Sequence, residues 1–375
     1  MKIEERQSNF ELLRIISMMM IIFWHIMFHG GIMANQSETL RIVLSFIQPL
    51  IFVHVNSFIL VTGYFQCDSR FKMGKVLQLN NSIWFYRALI PLILIVMGML
   101  TLDKLELIKL ISPISHYDYW FMTQYILLYL ISPILNIVIN NISKDKYKAM
   151  LVLFFVIFSI LPFLTNQEIY PSSMGYTLLQ FVILYFMGAY LRKYKIDNCY
   201  YLRKFSTNTK RLIFIVMFLL FGIISAILTI SGTSFIGKNL ILDYIGQALV
   251  NNSNAYNNPL LIITTISYFL FFSTINFKSK FINLVSKLTL GVYLIHDNIY
   301  IRSRIYDWVG FNSSSYSCAI IPKMIVVTFV IFIGCSIIEL VRQSVFKFIY
   351  RRKLSKKIRS AYRNYISSLG ISINW

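Results

Sequence analysis

Long runs of apolar residues, broken at fairly regular intervals by short polar and charged stretches, are the first feature of this chain. An α-helix needs about 20 mostly apolar residues to cross the hydrocarbon of a bilayer. Ten runs approach that length: 10–32, 42–65, 76–101, 119–140, 149–165, 177–191, 212–231, 259–275, 288–302 and 321–343. The ninth is short and polar. Runs of this kind are too long for barrel strands, and a lipid-facing backbone must satisfy its own hydrogen bonds. The pattern therefore predicts an all-α integral membrane protein, a bundle of about ten transmembrane helices.

Composition agrees. The 375 residues are 57% hydrophobic and only 14% charged, with a mean hydropathy of +0.64, against about 45–50% and about 25% in soluble domains. The net charge of +21 would suggest a nucleic-acid surface in a soluble protein; in a membrane protein the question is where the cations sit. With a cytoplasmic N-terminus, 26 Lys and Arg fall on inner segments. These are Lys2 and Arg6, then Arg70, Lys72 and Lys75, then Lys144, Lys146 and Lys148. They continue with seven from Arg192 to Arg211, then Lys278, Lys280 and Lys287, and eight from Lys347 to Arg363. Seven fall outside: Arg41, Lys104, Lys109, Lys238, Arg302, Arg304 and Lys323. This asymmetry predicts that both termini are cytoplasmic, and it assigns the charge to topology rather than to nucleic acid.

The organisation expected is one transmembrane domain over 8–343 and a basic, amphipathic cytoplasmic tail over 344–375, suited to lying on anionic headgroups. The first run has Glu4, Glu5 and Glu11 on its flank and no small-residue cleavage site after it, so it reads as a permanent helix rather than a secretory signal. No repeat of 20–50 residues is visible. Cys67, Cys199, Cys318 and Cys335 show neither metal-ligand spacing nor a disulfide framework, and no metal site is expected.

Ionisable residues inside spans are costly and mark function by default. The first helix is richest in them. Arg14 and His25 are eleven residues apart, about 20° short of or beyond whole turns and roughly 16 Å along the axis. Glu11 and His29 share that stripe at helical spacing. One alternative is that Arg14 snorkels and pairs with Glu11 while His25 makes a packing hydrogen bond. The other is chemical, because imidazole titrates near neutrality and can take a proton from an alcohol or carry an acyl group.

Further polar positions are His54, with neighbouring Asn, Ser and Thr, and the intramembrane Arg87. Tyr119 and Trp120 stand where an outer aromatic belt is expected. Gln124, Tyr125, Tyr129 and Asn136 follow them inward, and His296 with Asp297 closes the ninth run at the outer boundary. Glu339 is expected to pair with Arg342 at i+3.

Four motifs in order carry a family resemblance. Glu11 and Arg14, followed after ten intervening residues by His25, resemble the first-span signature of the membrane-bound acyltransferase 3 family. Thr62–Phe65 (TGYF) resembles its second-span ending. Tyr119–Asn136 (YWFMTQYILLYLISPILN) resembles its Trp-Phe-x-x-x-Tyr segment, and Ser286–His296 (SKLTLGVYLIH) its C-terminal pattern. They cover about residues 8–340.

Many members have an arginine-rich stretch entering the third span, where this chain has Lys72, Lys75 and Arg87, and many add a soluble hydrolase-like domain. The chain is most similar to stand-alone members that O-acetylate bacterial surface polysaccharides. The resemblance implies an O-acyltransferase of the bacterial plasma membrane with acetyl-CoA, or another acyl-CoA, as co-substrate and no bound cofactor. In that picture His25 and Arg14 are catalytic, and Arg14, Lys72, Lys75 and Arg87 hold the donor. A carbohydrate acceptor arrives past Tyr119, Trp120, Tyr293 and His296. The competing class is a non-enzymatic exporter or flippase of polysaccharide or lipid-linked sugar, for which inverted repeats and broken spans are expected. A glycan polymerase would want a large polar outer loop; the longest, 232–258, has one Asp and no His.

Overall fold

A computed structural model describes residues 6–101, 119–167, 173–195, 200–311 and 313–351. Among these the chain is helical; the only β contact is an isolated bridge between Gln36 and Tyr316. The helices run α1 (Ser8–His29), α2 (Glu38–Ile51), α3 (His54–Gln66), α4 (Met73–Val96), α5 (Trp120–Asn141) and α6 (Lys144–Phe155). After a π-helical turn at Val156–Ile160 come α7 (Leu161–Thr165), α8 (Leu178–Tyr194), α9 (Thr207–Phe235), α10 (Leu240–Asn252) and α11 (Pro259–Ser273). The series ends with α12 (Lys280–Val285), α13 (Thr289–His296), α14 (Arg302–Trp308) and α15 (Ile320–Arg351).

Among the described residues, seven segments are long and apolar enough to cross a bilayer: Ser8–His29, Glu38–Gln66, Met73–Val96, Trp120–Asn141, Lys144–Thr165, Thr207–Phe235 and Ile320–Phe348. The other three expected spans are shorter. α8 has 17 residues and α11 has 15. The ninth is not one helix: α13 has eight residues and stops at His296, and the chain turns through Asp297–Ile301 before α14 begins.

The second span is also interrupted. Phe52 and Val53 separate α2 from α3, three residues after Pro49, which has no N–H to give the ladder. The expected outer loop 232–258 is largely helical instead. Asn239 caps α10 by accepting from Leu242 N at 2.9 Å, which fixes where this helix starts. α15 runs unbroken through residues 343 and 344 to Arg351, so the expected domain boundary lies within a helix. Residues 352–375 of the expected tail lie outside the described residues.

α1 is central. Its Ile15, Met18, Ile22 and Ile26 join one apolar cluster with α4, α13 and α15, while Phe10 and Leu13 join a second with α3, α8 and α11. α3 and α8 cross at backbone contact. A Cβ on Gly63 would stand 2.2 Å from Tyr185 O, and one on Gly188 would stand 2.2 Å from Leu60 O. Small residues permit this approach where lipid provides no hydrophobic drive between helices.

Candidate active site

The polar stripe of α1 meets two groups of side chains, one near each end of the helix. Toward its C-terminal end, His25 reaches the break after α13. Its Nδ1 lies 3.1 Å from Nε2 of His296 and 3.7 Å from Oδ1 of Asp297. Arg302 Nη1 stands 3.9 Å from the same carboxylate oxygen. The His29 ring is 5.2 Å from that of His25 and lies nearly parallel to Tyr306 at 6.4 Å. His296, Asp297 and Asn298 are all buried.

The local sequence explains why α13 ends here. His296 Nδ1 is 2.6 Å from the carbonyl of Val292 one turn back. Asn298 accepts from Tyr300 N at 3.1 Å and donates to the Tyr119 hydroxyl at 2.7 Å. Tyr119 in turn donates to Leu294 O at 2.8 Å. The side chains thus take over from the helical ladder where it stops.

Tyr119 is therefore buried and structural at this point, not an interfacial anchor. Tyr293 packs 5.8 Å from Tyr119 and 6.2 Å from His296. Trp120 departs from this group. It packs on Tyr176 at 4.9 Å and Tyr256 at 5.7 Å. Tyr256 stacks on Phe52 at 4.5 Å, and Phe52 meets Trp24, the neighbour of His25, at 4.9 Å. Trp120 thus reaches the His25 region only through a row of rings.

At the other end of α1, Arg14 binds Glu11 at 2.9 Å. Glu11 also faces Arg6 at 3.4 Å and accepts from the hydroxyl of Ser286, so a buried carboxylate orients Arg14. Tyr125 of α5 faces Lys75, Thr62 and Arg14. Lys75 lies over the Tyr129 ring at 4.5 Å, and the Tyr129 hydroxyl accepts from Lys72 N at 3.1 Å. The start of α4 thus meets Tyr125 and Tyr129 of α5 through Lys72 and Lys75, and Tyr125 lies within electrostatic reach of Arg14. Arg87 is not part of this group. It lies twelve residues beyond Lys75 on α4, about 18 Å along the axis, and is buried.

Glu339 pairs with Arg342 at 2.7 Å as expected. His54 is buried, with Phe52 and Tyr256 as ring neighbours.

Sequence reasoning gave no role to His29, Asp297, Arg302, Asn298, Thr62 or Tyr125. The i+4 spacing of His29 from His25, and the position of Asp297 directly after His296, were the available signals. Ligand atoms of His25, His29 and Asp297 all lie within 4.8 Å of one another, close enough to share a cation. Asp297 also faces Arg302, and His25 Nδ1 also faces His296.

No curated protein and no solved structure matches the chain. A family model described as an acyltransferase domain, that of acyltransferase 3, matches residues 7–340, from just before Glu11 to just past Glu339, and takes in every residue of both groups above except Arg6. The chain belongs to this acyltransferase family.

Proposed function

We propose that the chain transfers an acyl group, acetyl in the simplest case, from acyl-CoA on the cytoplasmic side to a hydroxyl of a cell-surface polysaccharide or its lipid-linked precursor. The setting is a bacterial plasma membrane crossed ten times, with both termini inside. The observation that carries this reading is the presence on one helix of an arginine oriented by a buried carboxylate and, about 16 Å away, a histidine held against the buried His296 and Asp297.

The inner basic group suits the phosphates of a cytosolic donor. His25 suits the chemistry at the far end of the pantetheine arm, as general base for the acceptor hydroxyl or as transient acyl carrier. The half-buried rings of Trp120 and Tyr176 suit the apolar side of a sugar. Arg87, buried deeper in α4, has no part in donor binding in this reading.

The test is His25→Ala expressed at normal membrane abundance, with the surface polysaccharide weighed by mass spectrometry against that of cells with the unaltered chain and of cells without it. Loss of the acetyl mass increment in both the variant and the deletion is expected. Unchanged acetylation in the variant would remove His25 from catalysis. A deletion that lowers the amount of surface polysaccharide without changing its mass per unit would favour export.

A further inference from the structure

The hydrogen bonds around His296 determine which nitrogen of His25 is free to react. Val292 O lies 2.6 Å from His296 Nδ1, and a carbonyl only accepts, so this nitrogen carries a hydrogen. His296 is fully buried, while the Asp297 carboxylate faces Arg302 and His25. A second cation inside this cluster would be costly, so the His296 ring is neutral and its Nε2 is a lone pair. That lone pair lies 3.1 Å from His25 Nδ1. Two lone pairs do not face each other at such a distance, so His25 donates from Nδ1 and keeps its own lone pair on Nε2.

We propose that His296 is a positioning residue that holds His25 in its Nδ1-protonated tautomer, so that Nε2 of His25 is the atom that takes the proton from the acceptor hydroxyl. This rests on the acyl-transfer reading above. The step balances without any further reactant. Nε2 accepts the hydroxyl proton as the hydroxyl oxygen bonds to the acyl carbon. The carbon–sulfur bond then breaks, and the leaving thiolate takes the proton back from Nε2. The ring returns to its starting tautomer. Between the two transfers His25 is an imidazolium with the Asp297 oxygen 3.7 Å from Nδ1, which stabilises the charge as it forms. His296 was expected on the acceptor side; in this proposal it acts through Nδ1 of His25.

Five histidines in the chain make the test direct. The protein is labelled with [15N]histidine, purified whole into lipid nanodiscs, and its imidazole nitrogens are read by NMR, with the His25 signals assigned by their loss in His25→Gln. Transfer from radiolabelled acetyl-CoA into the polysaccharide fraction of membranes is measured in parallel. His25 is expected to be protonated at Nδ1 and bare at Nε2. In His296→Ala an Nε2-protonated population appears, kcat falls about 100-fold, and KM for acetyl-CoA does not move. In His296→Gln, whose side-chain oxygen accepts as Nε2 does, the native tautomer and part of kcat return.

A native His25 protonated at Nε2 would overturn the proposal, as would a native tautomer persisting in His296→Ala. Should His296→Ala not fold, an Nε2-protonated His25 in His296→Gln has the same force. Because the spectrum is independent of turnover, a correct tautomer with no acetyl transfer by the unaltered chain would refute the acyl-transfer reading and leave the assignment of nitrogens standing.

Discussion

Removing Arg342 tests the packing that holds α13 in place. Glu339 is 2% exposed and accepts four hydrogen bonds. Tyr86 donates to Oε2, as does Arg342 Nε at 2.7 Å. Arg342 Nη2 and Gln343 Nε2 each reach Oε1 at 2.7 Å. The carboxylate lies against Gly291 of α13, where a Cβ would come within 2.4 Å of it. Arg342→Met deletes two charge-assisted bonds and the counter-charge, leaving a buried carboxylate. Breaking such a pair costs about 3–5 kcal/mol. Protonating a carboxyl at neutral pH costs about 4 kcal/mol, which caps the loss.

The double variant Glu339→Gln/Arg342→Met removes the charge as well and keeps an acceptor for Tyr86, so its cost should be about 1 kcal/mol. Unfolding of the detergent-purified protein, followed by SDS titration or heating, should therefore rank the single variant well below the double, with the double near the unaltered chain. Equal loss in both variants would show that the cluster acts by shape alone and would refute the electrostatic argument.

Three further outcomes follow from the same geometry. Gly188→Ala sets a Cβ against the backbone of Leu60 and should destabilise by about 1–3 kcal/mol. Gly222→Ala meets only the side-chain end of Leu50 and should lower the melting temperature far less, so a single thermal-shift series checks both. Arg14→Lys keeps the charge but loses the planar fork that Glu11 orients. KM for acetyl-CoA should rise with little change in kcat, and an unmoved KM would end the donor role. Burial, with Asp68 beside it, pushes the Cys67 thiol up to about 12. Its thiolate fraction at pH 8 is then far below that of a free thiol, so the half-buried Cys318 should be alkylated by iodoacetamide well before Cys67, as peptide mass spectrometry would show.

What the sequence revealed follows the range of its signals. The 3.6-residue period placed Glu11, Arg14, His25 and His29 on one stripe, and the pairs Glu11–Arg14 and Glu339–Arg342 are as spaced, because both rest on contacts within one helix. The meeting of His25 with His296 and Asp297 joins positions some 270 residues apart, which no local pattern encodes. Only the ordered motifs hinted at it. The polar His296–Asp297–Asn298 stretch was read as the end of a span, whereas it is where α13 stops and the chain turns before α14. Asn298 and Tyr119, which terminate α13 between them, are ordinary in sequence. Arg87 was grouped with Lys72 and Lys75 by chain proximity, although the rise of α4 carries it away. α10 was missed because its 13 residues are too few to span a bilayer, so the run 232–258 was read as a loop.

The turn from Asp297 to Ile301 also determines what surrounds the reacting groups. A non-helical backbone within a bilayer cannot face acyl chains, which offer its N–H and C=O groups nothing. Here Asn298 takes Tyr300 N, and its carbonyl accepts from Ile301 N and Arg302 N at 3.0 and 2.8 Å. The partners come from protein rather than lipid. The hydrogen bonds at this turn are therefore made without lipid. Thin or thick bilayers would alter how much of the chain inserts and how the outer helices tilt, while the bonds at this turn would keep their protein partners.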